Sequence, residues 1–495
     1  MNHASATAGT IPGIPPDRVT DDALERMLCG RDLAAVPGIM SRPFFRTLPD
    51  VIVRPADTTQ VAEAVRYASR QRIAVTPRAA ATTSYYDAVP VRGGMVLDLN
   101  GLRGLVALDP DRQTARVLPG TTWFELDEAL GRQGYTVKSY PSSAVAATVG
   151  GWVSTQGHGI GSLRYGPLGS QIIGLEVVLP DGEARGLSRE SDPPAAWFVA
   201  AEGTLGVVTE VELTVRPLPA AESHHLLAFA DFASLQSAVL SLCRAEDRPF
   251  TIFFADGSYL ALLARAGFQT PLETEVPSPG EDARSSAGRA TSIALASFQG
   301  DAAAVGRGRD ALLALPGREL PGDVALAEWA LRLYHLRCKR AGPSLLAAEQ
   351  WLPLAALAGY LRAVKALAGR HRLTIGTYGY AVTPEQALVM SIYPADERRP
   401  VSYLAAVGLT KRLHDLGARH GGRPYGVGLW NTPYLARLFN RSQLAELRRR
   451  KARLDPTGIM NPGKLYGAPF PLWPATFALG AGALSAAHSI LQRVR

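Results

Sequence analysis

The sequence predicts an α+β protein built from more than one folding unit. Its 495 residues exceed what one ordinary hydrophobic core can bury, so two or three units are expected. Short strands and amphipathic helices alternate between Val51 and Val215, and Pro217 and Pro219 then mark a boundary. Beyond that boundary strands and helices mix in a different rhythm, which indicates a second unit.

The first helices are predicted from their capping residues. Asp21 and Asp22 precede an apolar run and favour a short helix that starts at Ala23. Asp57 opens a second helix that carries apolar side chains on one face, namely Val61, Ala64, Val65 and Ala68. The strands Val51–Val53 and Ile73–Pro77 flank this second helix, which gives a β-α-β unit.

Further elements follow from runs of apolar or alternating residues. The predicted strands are Met95–Leu99, Ala115–Gly120, Ile172–Leu179 and Val207–Val215. The predicted helices are Trp123–Gly134, which ends at glycine, and the basic segment Arg441–Arg453, which Asp455 and Pro456 end. A polar segment rich in proline and glycine, residues 270–289, is expected to be a long surface loop.

Composition limits the function classes. The formal net charge is +8, but the arginines are scattered among acids and form no basic tract with interleaved aromatics, so nucleic-acid binding is not expected. The mild positive balance suits anionic small molecules or an acidic membrane surface. Cys29, Cys243 and Cys338 lack metal-ligand spacing, so we expect no metal site, no iron–sulfur cluster of the chain's own, and a reducing compartment, the cytoplasm.

The two ends of the chain raise the question of membranes. Residues 1–16 show no charged region followed by an apolar run, so no signal peptide is expected. The segment Leu472–Leu491 is uncharged and long enough to span a bilayer, but it is mostly Ala and Gly. A docked or interfacial helix, with peripheral membrane contact, is therefore favoured over a true span.

Three stretches of small residues indicate a bound nucleotide-like ligand. Pro77–Ser84 follows a strand, and its backbone N–H groups and hydroxyls suit a pyrophosphate. The stretch 148–166 holds six glycines close together, which predicts a loop around a bulky planar ligand, with no helix or regular strand. Glu202–Val207 is a tight turn that leads into a strand.

At these residues the chain resembles the PCMH-type FAD-binding family, which has the vanillyl-alcohol oxidase fold. The resemblance runs from about Leu48 to Pro219 and resumes at Leu454–Lys464, which is similar to the family's C-terminal signature. It implies an FAD-binding domain of two subdomains over residues 47–219, an α+β cap over 220–420, and a segment 421–468 that completes the FAD site. An N-terminal extension, 1–46, and an apolar tail, 469–495, flank them. The cap is similar to that of the D-lactate dehydrogenase/glycolate oxidase branch.

The resemblance also implies which residues contact FAD. They are Pro77, Arg78, Ala79, Ala80, Ala81, Thr82, Thr83, Ser84, Pro141, Ser142, Ser143, Thr148, Gly150, Gly151, Gly157, His158, Gly161, Glu202, Gly203, Gly206, Val207, Asn461 and Lys464. The family usually has three glycines where this chain has Ala79–Ala81, so this loop either keeps ordinary φ values or binds more weakly. His158 is the one candidate within these motifs for a covalent flavin link. Its reading as a polar loop residue is favoured, so non-covalent FAD is expected.

The catalytic side departs from the hydroxy-acid branch. The family's metal-binding and basic residues are missing at Gly376–Val382 and Arg423–Asn431. Aromatic and amide side chains remain, and Tyr425 and Asn431 are the preferred candidates. Arg337 and Arg340 are carried over as contacts for a substrate carboxylate. His420 is the nearest candidate base in the sequence.

The leading hypothesis is therefore an FAD-dependent dehydrogenase of a hydroxy acid or a related alcohol. It would pass electrons to a separate acceptor, such as an iron–sulfur protein, a cytochrome or a quinone. One alternative is an oxidase of a non-acid alcohol, such as a sugar or a lipid-like molecule. Another is a flavin-binding subunit that is active only beside a partner.

Overall fold

A computed structural model describes residues 11–34, 36, 41, 43–155, 157–268, 272, 291–467, 469, 472, 479–480 and 482–484. The chain divides into two compact units. Unit 1 comprises Met1–Gly157, Pro167–Leu218 and Gly426–Phe477. Unit 2 comprises His158–Gly166, Pro219–Tyr425 and Ala478–Arg495. Mixed helix and sheet in both units confirm the predicted α+β class.

Unit 1 starts with a small, mainly parallel sheet. Its strands, in spatial order, are β1 (Val19–Thr20), β2 (Val51–Val53), β4 (Met95–Asp98) and β3 (Val75–Arg78). Strands β2, β4 and β3 run parallel, as a β-α-β connection requires. Helix α2 (Thr58–Gln71) packs on this sheet, and Asp57 Oδ1 caps it by accepting from the Gln60 N–H at 2.8 Å, as predicted.

The second sheet of unit 1 is antiparallel and centres on a long strand. Its members are β5 (Leu105–Asp109), β6 (Thr114–Val117), β7 (Tyr135–Val137), β8 (Ile172–Val178), β9 (Ala184–Leu187) and β10 (Val207–Pro217). Strand β10 pairs with β6, β7 and β8. From Thr209 to Arg216 its residues alternate between buried and half-buried, which matches the predicted strand with one face in the core.

The helices of unit 1 are short, apart from α2 and the last one. In its first segment they are α1 (Ala23–Cys29), α2, α3 (Trp123–Gly131) and α4 (Val149–Thr155). The next helix in the chain, α5 (Ser162–Tyr165), belongs to unit 2. The return of the chain to unit 1 adds α12 (Leu435–Leu438) and α13 (Arg441–Leu454). The cap of α1 by Asp22 and the end of α13 at Asp455 agree with the sequence predictions.

The C-terminal segment completes the first sheet. Val75 on β3 forms a parallel bridge with Met460, and the Val75 N–H donates to the Ile459 carbonyl at 2.8 Å. Ile459 and Met460 are buried among the apolar residues that pack between this sheet and α2. Residues near the end of the chain therefore extend a sheet that begins near its start.

Unit 2 is one eight-stranded antiparallel sheet with helices. The strands, in spatial order, are β14 (Arg318–Glu319), β11 (Ala221–Phe229), β13 (Ser292–Gly300), β12 (Thr251–Asp256), β16 (Gly376–Ala381), β17 (Gln386–Ala395), β15 (Ser344–Pro353) and β18 (Arg423–Pro424). The further helices are α6 (Phe232–Arg244), α7 (Gly257–Arg265), α8 (Ala302–Leu313), α9 (Gly322–Ala330), α10 (Leu357–His371), α11 (Pro400–Arg419) and a 3-10 helix, His335–Ala341.

The two faces of this large sheet differ. One face forms the apolar core of unit 2 with α6, α10 and α11. Because side chains alternate along a strand, the intervening residues point to the other face. We call it the aromatic face, and its side chains include Phe253, Glu349, Trp351, Tyr378, Tyr380, Leu388 and Met390.

The prediction that the glycine-rich stretch forms no helix is wrong. Residues Val149–Thr155 form helix α4, and Ser162–Tyr165 form the single-turn helix α5. The glycines are needed for packing, because a Cβ on Gly150 would lie 2.5 Å from Pro119 Cβ. The predicted surface loop 270–289 lies outside the described residues except for Leu272, and most of the predicted tail helix also lies outside them. Among the described residues, no helix is both long enough and apolar enough to cross a bilayer.

Candidate active site

The loop after β3 offers unused hydrogen-bond donors. Within the described part of the chain, the peptide N–H groups of Ala79, Ala80, Ala81 and Thr82 have no hydrogen-bond partner. The loop is half-buried to exposed, so these donors are open to a ligand. A run of free N–H groups beside hydroxyls is the donor set that a pyrophosphate requires. The loop therefore fits the diphosphate of FAD.

Three segments of unit 1 carry strained backbone. Nine described non-glycine residues have positive φ, and six of them lie in these segments: Ala81, Tyr86, Ala200, Glu202, Asn461 and Leu465. Strained backbone of this kind concentrates at ligand sites. We call the loop 79–91, the turn 200–206 and the segment 455–466 the FAD cradle. The φ of +50° at Ala81 shows that alanine adopts the left-handed conformation here, at a cost that glycine would avoid.

Hydrogen bonds donated by Asn461 join the three segments. Asn461 Nδ2 donates to the carbonyl oxygens of Asp87 at 2.9 Å and Glu202 at 2.7 Å. Its own N–H donates to the Val75 carbonyl at 2.7 Å. Lys464 Nζ donates to the Val89 carbonyl at 2.8 Å. The C-terminal signature thus holds the other two segments in place.

Buried charges lie at this junction. Asp87, Glu202 and Lys464 are all buried. Burial raises the pKa of Asp87 above its usual range, and burial together with Asp87 raises that of Glu202 well above. Burial lowers the pKa of Lys464 to about 8 and raises that of nearby Asp32 to about 7. Sequence reasoning missed Asp32 and Asp87, because nothing in their spacing relates them to Glu202.

Several predicted FAD residues have structural contacts. Gly203 has a φ of +66° and packs on the Pro77 ring, where a Cβ would lie 3.0 Å from Pro77 Cγ. Arg78 Nη1 donates to main-chain carbonyls, at 2.7 Å for Arg31 and 3.2 Å for Ala88. The Arg78 guanidinium therefore organises the polypeptide around the loop.

The second motif region is tightly packed. A Cβ on Gly157 would lie 1.6 Å from Trp152 Nε1, and one on Gly206 would lie 2.8 Å from Val177 Cγ1. Thr148 Oγ1 accepts from the Gly151 N–H at 3.3 Å at the start of α4. The predicted contacts of Pro141, Ser142, Ser143, Thr148, Gly150, Gly151, Gly157, Gly161, Gly206 and Val207 with FAD stay predictions.

In unit 2, a histidine and a tyrosine meet on the aromatic face. Tyr380 Oη lies 2.8 Å from His335 Nδ1, and the His335 ring packs against Phe253 and Tyr378. Tyr259 Oη donates to the His335 carbonyl at 2.8 Å. Burial, with a smaller effect of Arg337, lowers the pKa of His335 to about 3, so the ring is neutral at neutral pH. The sequence gives no sign of this pairing, because the two residues are 45 positions apart.

Two predicted residues also meet in unit 2. Tyr425 Oη accepts from the His158 N–H at 3.1 Å, and the His158 ring lies 4.4 Å from the Trp351 ring, edge to face. Trp351 also contacts Tyr425 and lies under the guanidinium of Arg423. Tyr425 therefore belongs to an aromatic cluster with His158, while Asn431 belongs to unit 1, where Nδ2 donates to the Gly426 carbonyl at 3.1 Å.

A cationic pocket lies beside the 3-10 helix of unit 2. Its volume is about 560 Å³, and no acidic side chain lines it. The lining residues are Phe268, Leu331, Tyr334, Leu336, Arg337, Lys339, Arg340, Gly342 and Pro343. Arg337 Nη2 pairs with Glu328 at 3.1 Å, while its Nε and Nη1 are buried without a hydrogen-bond partner among the described residues. Arg340 lies over the Phe268 ring at 5.2 Å. The pocket suits an anionic group on an apolar body.

The structure places His420 away from these groups. His420 is at the end of α11, and its ring contacts Gly359 and Tyr360 of α10, on the core side of the sheet. Its Nδ1 lies 2.9 Å from the Leu416 carbonyl oxygen. We therefore do not retain His420 as the candidate base. Within the described part of the chain, no group of three or more His, Cys, Asp or Glu residues is arranged to hold a metal ion.

Comparison with known proteins agrees with this geometry. The family described as FAD binding domain matches residues 49–188, and the family described as FAD linked oxidases, C-terminal domain, matches residues 218–465. Together the two matches cover most of both units. FAD is therefore the cofactor.

Two relatives are named for small hydroxy acids, glycolate and D-lactate. The glycolate oxidase subunit GlcD of Bacillus subtilis is 26% identical over 86% of this chain and 90% of its own length. The mitochondrial D-lactate dehydrogenase [cytochrome] of Arabidopsis thaliana is 23% identical over 84% of this chain and 73% of its own.

A solved structure shares the fold. The structure of p-cresol methylhydroxylase with bound substrate superimposes with a TM-score of 0.77, at 16% identity, over 94% of this chain and 99% of the other. The PCMH-type fold predicted from the glycine-rich motifs is therefore confirmed. With both family matches in sequence order, the chain belongs to the FAD-linked oxidases and is an FAD-dependent oxidoreductase.

Proposed function

We propose that the protein oxidises the hydroxyl-bearing carbon of a hydroxy acid and passes the electrons to a separate acceptor. The observation that carries the proposal is the cationic pocket, which presents Arg337, Lys339 and Arg340 and no acidic side chain. Guanidinium groups bind carboxylates in a bidentate manner, and a small carboxylate fits easily into about 560 Å³. The hydroxy-acid relatives support the same substrate class.

The aromatic face can handle the proton that such an oxidation releases. Bound FAD supplies the two-electron acceptor, so the hydroxyl proton of the substrate must pass to a base. Neutral His335 holds the Tyr380 hydroxyl at 2.8 Å, and a tyrosine backed by a neutral imidazole can relay a proton. Tyr425 and Asn431 remain the candidates from the sequence for substrate contact.

A separate acceptor agrees with the names of the relatives. One of them is described as a subunit and the other as a cytochrome-linked dehydrogenase. We therefore propose an iron–sulfur protein, a cytochrome or a quinone as acceptor.

The test is the absorbance of the FAD-loaded protein without oxygen. We expect D-lactate, glycolate or D-2-hydroxyglutarate to bleach the oxidised flavin, and turnover with an artificial dye to exceed oxygen consumption without one. Bleaching by neutral sugars or fatty alcohols alone would overturn the assignment to hydroxy acids.

The aromatic face favours a second candidate function. Trp351 on this face is half-buried and contacts the half-buried ring of Tyr425, and accessible rings of this kind suit an apolar or sugar-like alcohol. The protein would then be an oxidase of a non-acid alcohol. Rapid oxygen consumption with such an alcohol, and none with hydroxy acids, would favour it.

A further inference from the structure

Two acidic side chains touch each other inside the FAD cradle. Asp87 and Glu202 are each 7% exposed, and their side chains are in hydrogen-bonding contact. A carboxylate only accepts hydrogen bonds, so a hydrogen bond between two carboxyl groups requires a proton on one of them.

The other hydrogen bonds of Asp87 and Glu202 do not replace this proton. Glu202 Oε1 accepts from the Gly428 N–H at 2.9 Å, whereas Glu202 Oε2 is buried and has no donor among the described residues. Asp87 Oδ2 accepts from the Thr83 hydroxyl. Glu202 Oε2 therefore lacks a donor, and a proton between the two carboxyl groups would supply one.

The charge of the junction agrees with one proton. Lys464 is 2% exposed and interacts electrostatically with both acids. With one proton on the pair, a single carboxylate faces a single ammonium, and the buried junction is neutral. With no proton, two buried carboxylates would face one ammonium, which low dielectric surroundings disfavour.

Three further titratable groups face the junction. Asp32 interacts with Asp87 and Lys464, Arg78 interacts with Asp32, and Tyr466 interacts with Glu202. Burial raises the pKa of Asp32 to about 7, so this carboxyl group, which lies near Arg78, also changes charge near neutral pH. Replacing Glu202 leaves Asp32 in place, so a pH dependence that disappears on that replacement belongs to the pair Asp87–Glu202.

We infer that Asp87 and Glu202 share one proton and act as positioning residues that hold the FAD cradle together. The two residues belong to the loop and the turn of the cradle. From the third segment, Asn461 donates to both residues and Lys464 donates to Val89 of the loop. Loss of the proton sets like charges against each other where the loop meets the turn. The donors of residues 79–82 then lose their fixed arrangement, and FAD is held less tightly.

The direction of the pH effect follows from linkage. The folded protein raises the proton affinity of the pair, so the stabilisation is complete below the ordinary pKa of a carboxyl group, about 4. It is lost as the pH rises through the raised value in the folded state. Lys464 acts in the opposite sense, because its pKa is lowered to about 8 and its unfavourable burial is relieved above that value.

The experiment measures FAD dissociation and apo-protein melting from about pH 5 to about pH 9 in three proteins. In the wild type, we expect FAD affinity to fall up to about tenfold per pH unit within the transition of the pair. Glu202→Gln supplies a permanent donor in place of the proton, so its FAD affinity and its melting temperature should lose this dependence. Glu128→Gln, a matched change at an exposed helix position, should keep the wild-type slope.

A spectroscopic comparison keeps the inference testable if one variant folds poorly. Infrared difference spectra of the wild type against Glu202→Gln or Asp87→Asn at neutral pH should show one protonated carboxyl band that the variant lacks. The inference would be overturned if FAD affinity in Glu202→Gln and Asp87→Asn depended on pH as in the wild type. It would also be overturned if the spectra showed no protonated carboxyl band that the variants lack. Neither readout needs a substrate, so failure of the proposed hydroxy-acid oxidation leaves this inference unaffected.

Discussion

The side-chain amide of Asn461 donates to the carbonyl oxygen of Glu202 at 2.7 Å, although 259 positions separate the two residues. The same amide group donates to Asp87 at 2.9 Å. One side chain thus satisfies two buried carbonyls on two different segments of the FAD cradle. Asn461 also tolerates its own φ of +37° better than most residues would.

Replacing this amide with a carboxylate should weaken the cradle. Asn461→Asp keeps the shape but puts acceptors against two carbonyls, so we expect a loss of about 2–4 kcal/mol in unfolding free energy. The loss should be accompanied by release of FAD, measured by flavin fluorescence after gel filtration. Asn440→Asp is the matched control, because Asn440 caps α13 and aspartate caps equally well. Equal stability of the two variants would contradict the role of Asn461.

Ala81 should gain from replacement by glycine. Its φ of +50° costs alanine about 1–2 kcal/mol, part of which the greater freedom of glycine in the unfolded chain offsets. We expect Ala81→Gly to raise the melting temperature or to bind FAD several-fold more tightly. Ala80→Gly, next to it without positive φ, should instead lose about 0.5–1 kcal/mol. A higher melting temperature and tighter FAD binding in Ala80→Gly than in Ala81→Gly would show that strain at Ala81 is unimportant.

Arg340 should contribute to the binding of the acidic group of the substrate. We expect Arg340→Gln to raise the KM for a hydroxy acid about tenfold or more, because one charge-assisted hydrogen bond is lost, while kcat changes little. Arg309→Gln, at an exposed position on α8, is the matched control and should leave both constants unchanged. An unchanged KM in the Arg340 variant would remove the cationic pocket from the substrate site.

His335 should make the folded protein less stable as the pH falls. Because burial lowers its pKa to about 3, the neutral ring stabilises the fold above the unfolded value near 6.5, and this contribution is lost as the pH falls toward 3. The loss amounts to about 1.4 kcal/mol per pH unit in that window. His335→Gln, which can still accept from Tyr380, should show a shallower decline in urea denaturation at each pH. Tyr380→Phe leaves the ring buried and should keep the wild-type decline.

Local signals in the sequence predicted the elements whose causes are local. Asp57 and the apolar face that begins at Val61 defined α2, and the alternation after Val207 defined β10. Helix α4 was missed because Gly150 is selected by its close contact with Pro119, which comes from another part of the chain. A glycine that serves packing looks the same in the sequence as a glycine that serves a turn.

The candidate site was predicted on its cofactor side more fully than on its substrate side. The small residues of the FAD cradle lie in continuous motifs, so a resemblance could identify them. Phe253, His335 and Tyr380 come from three separate elements and meet only because strands β12 and β16 pair. Side-chain contacts of that kind depend on sheet register, which no single stretch of sequence reveals.

The bridge between Val75 and Met460 has a consequence for synthesis on the ribosome. Strand β3 and its apolar neighbours are translated early, but the residues that cover them, Ile459 and Met460, are translated only after the whole of the large sheet. In the nascent chain, the edge of β3 therefore stays unpaired while hundreds of further residues are synthesised. Chaperone protection during that interval, together with early folding of the inserted sheet, should determine how much of the newly made chain becomes able to take up FAD.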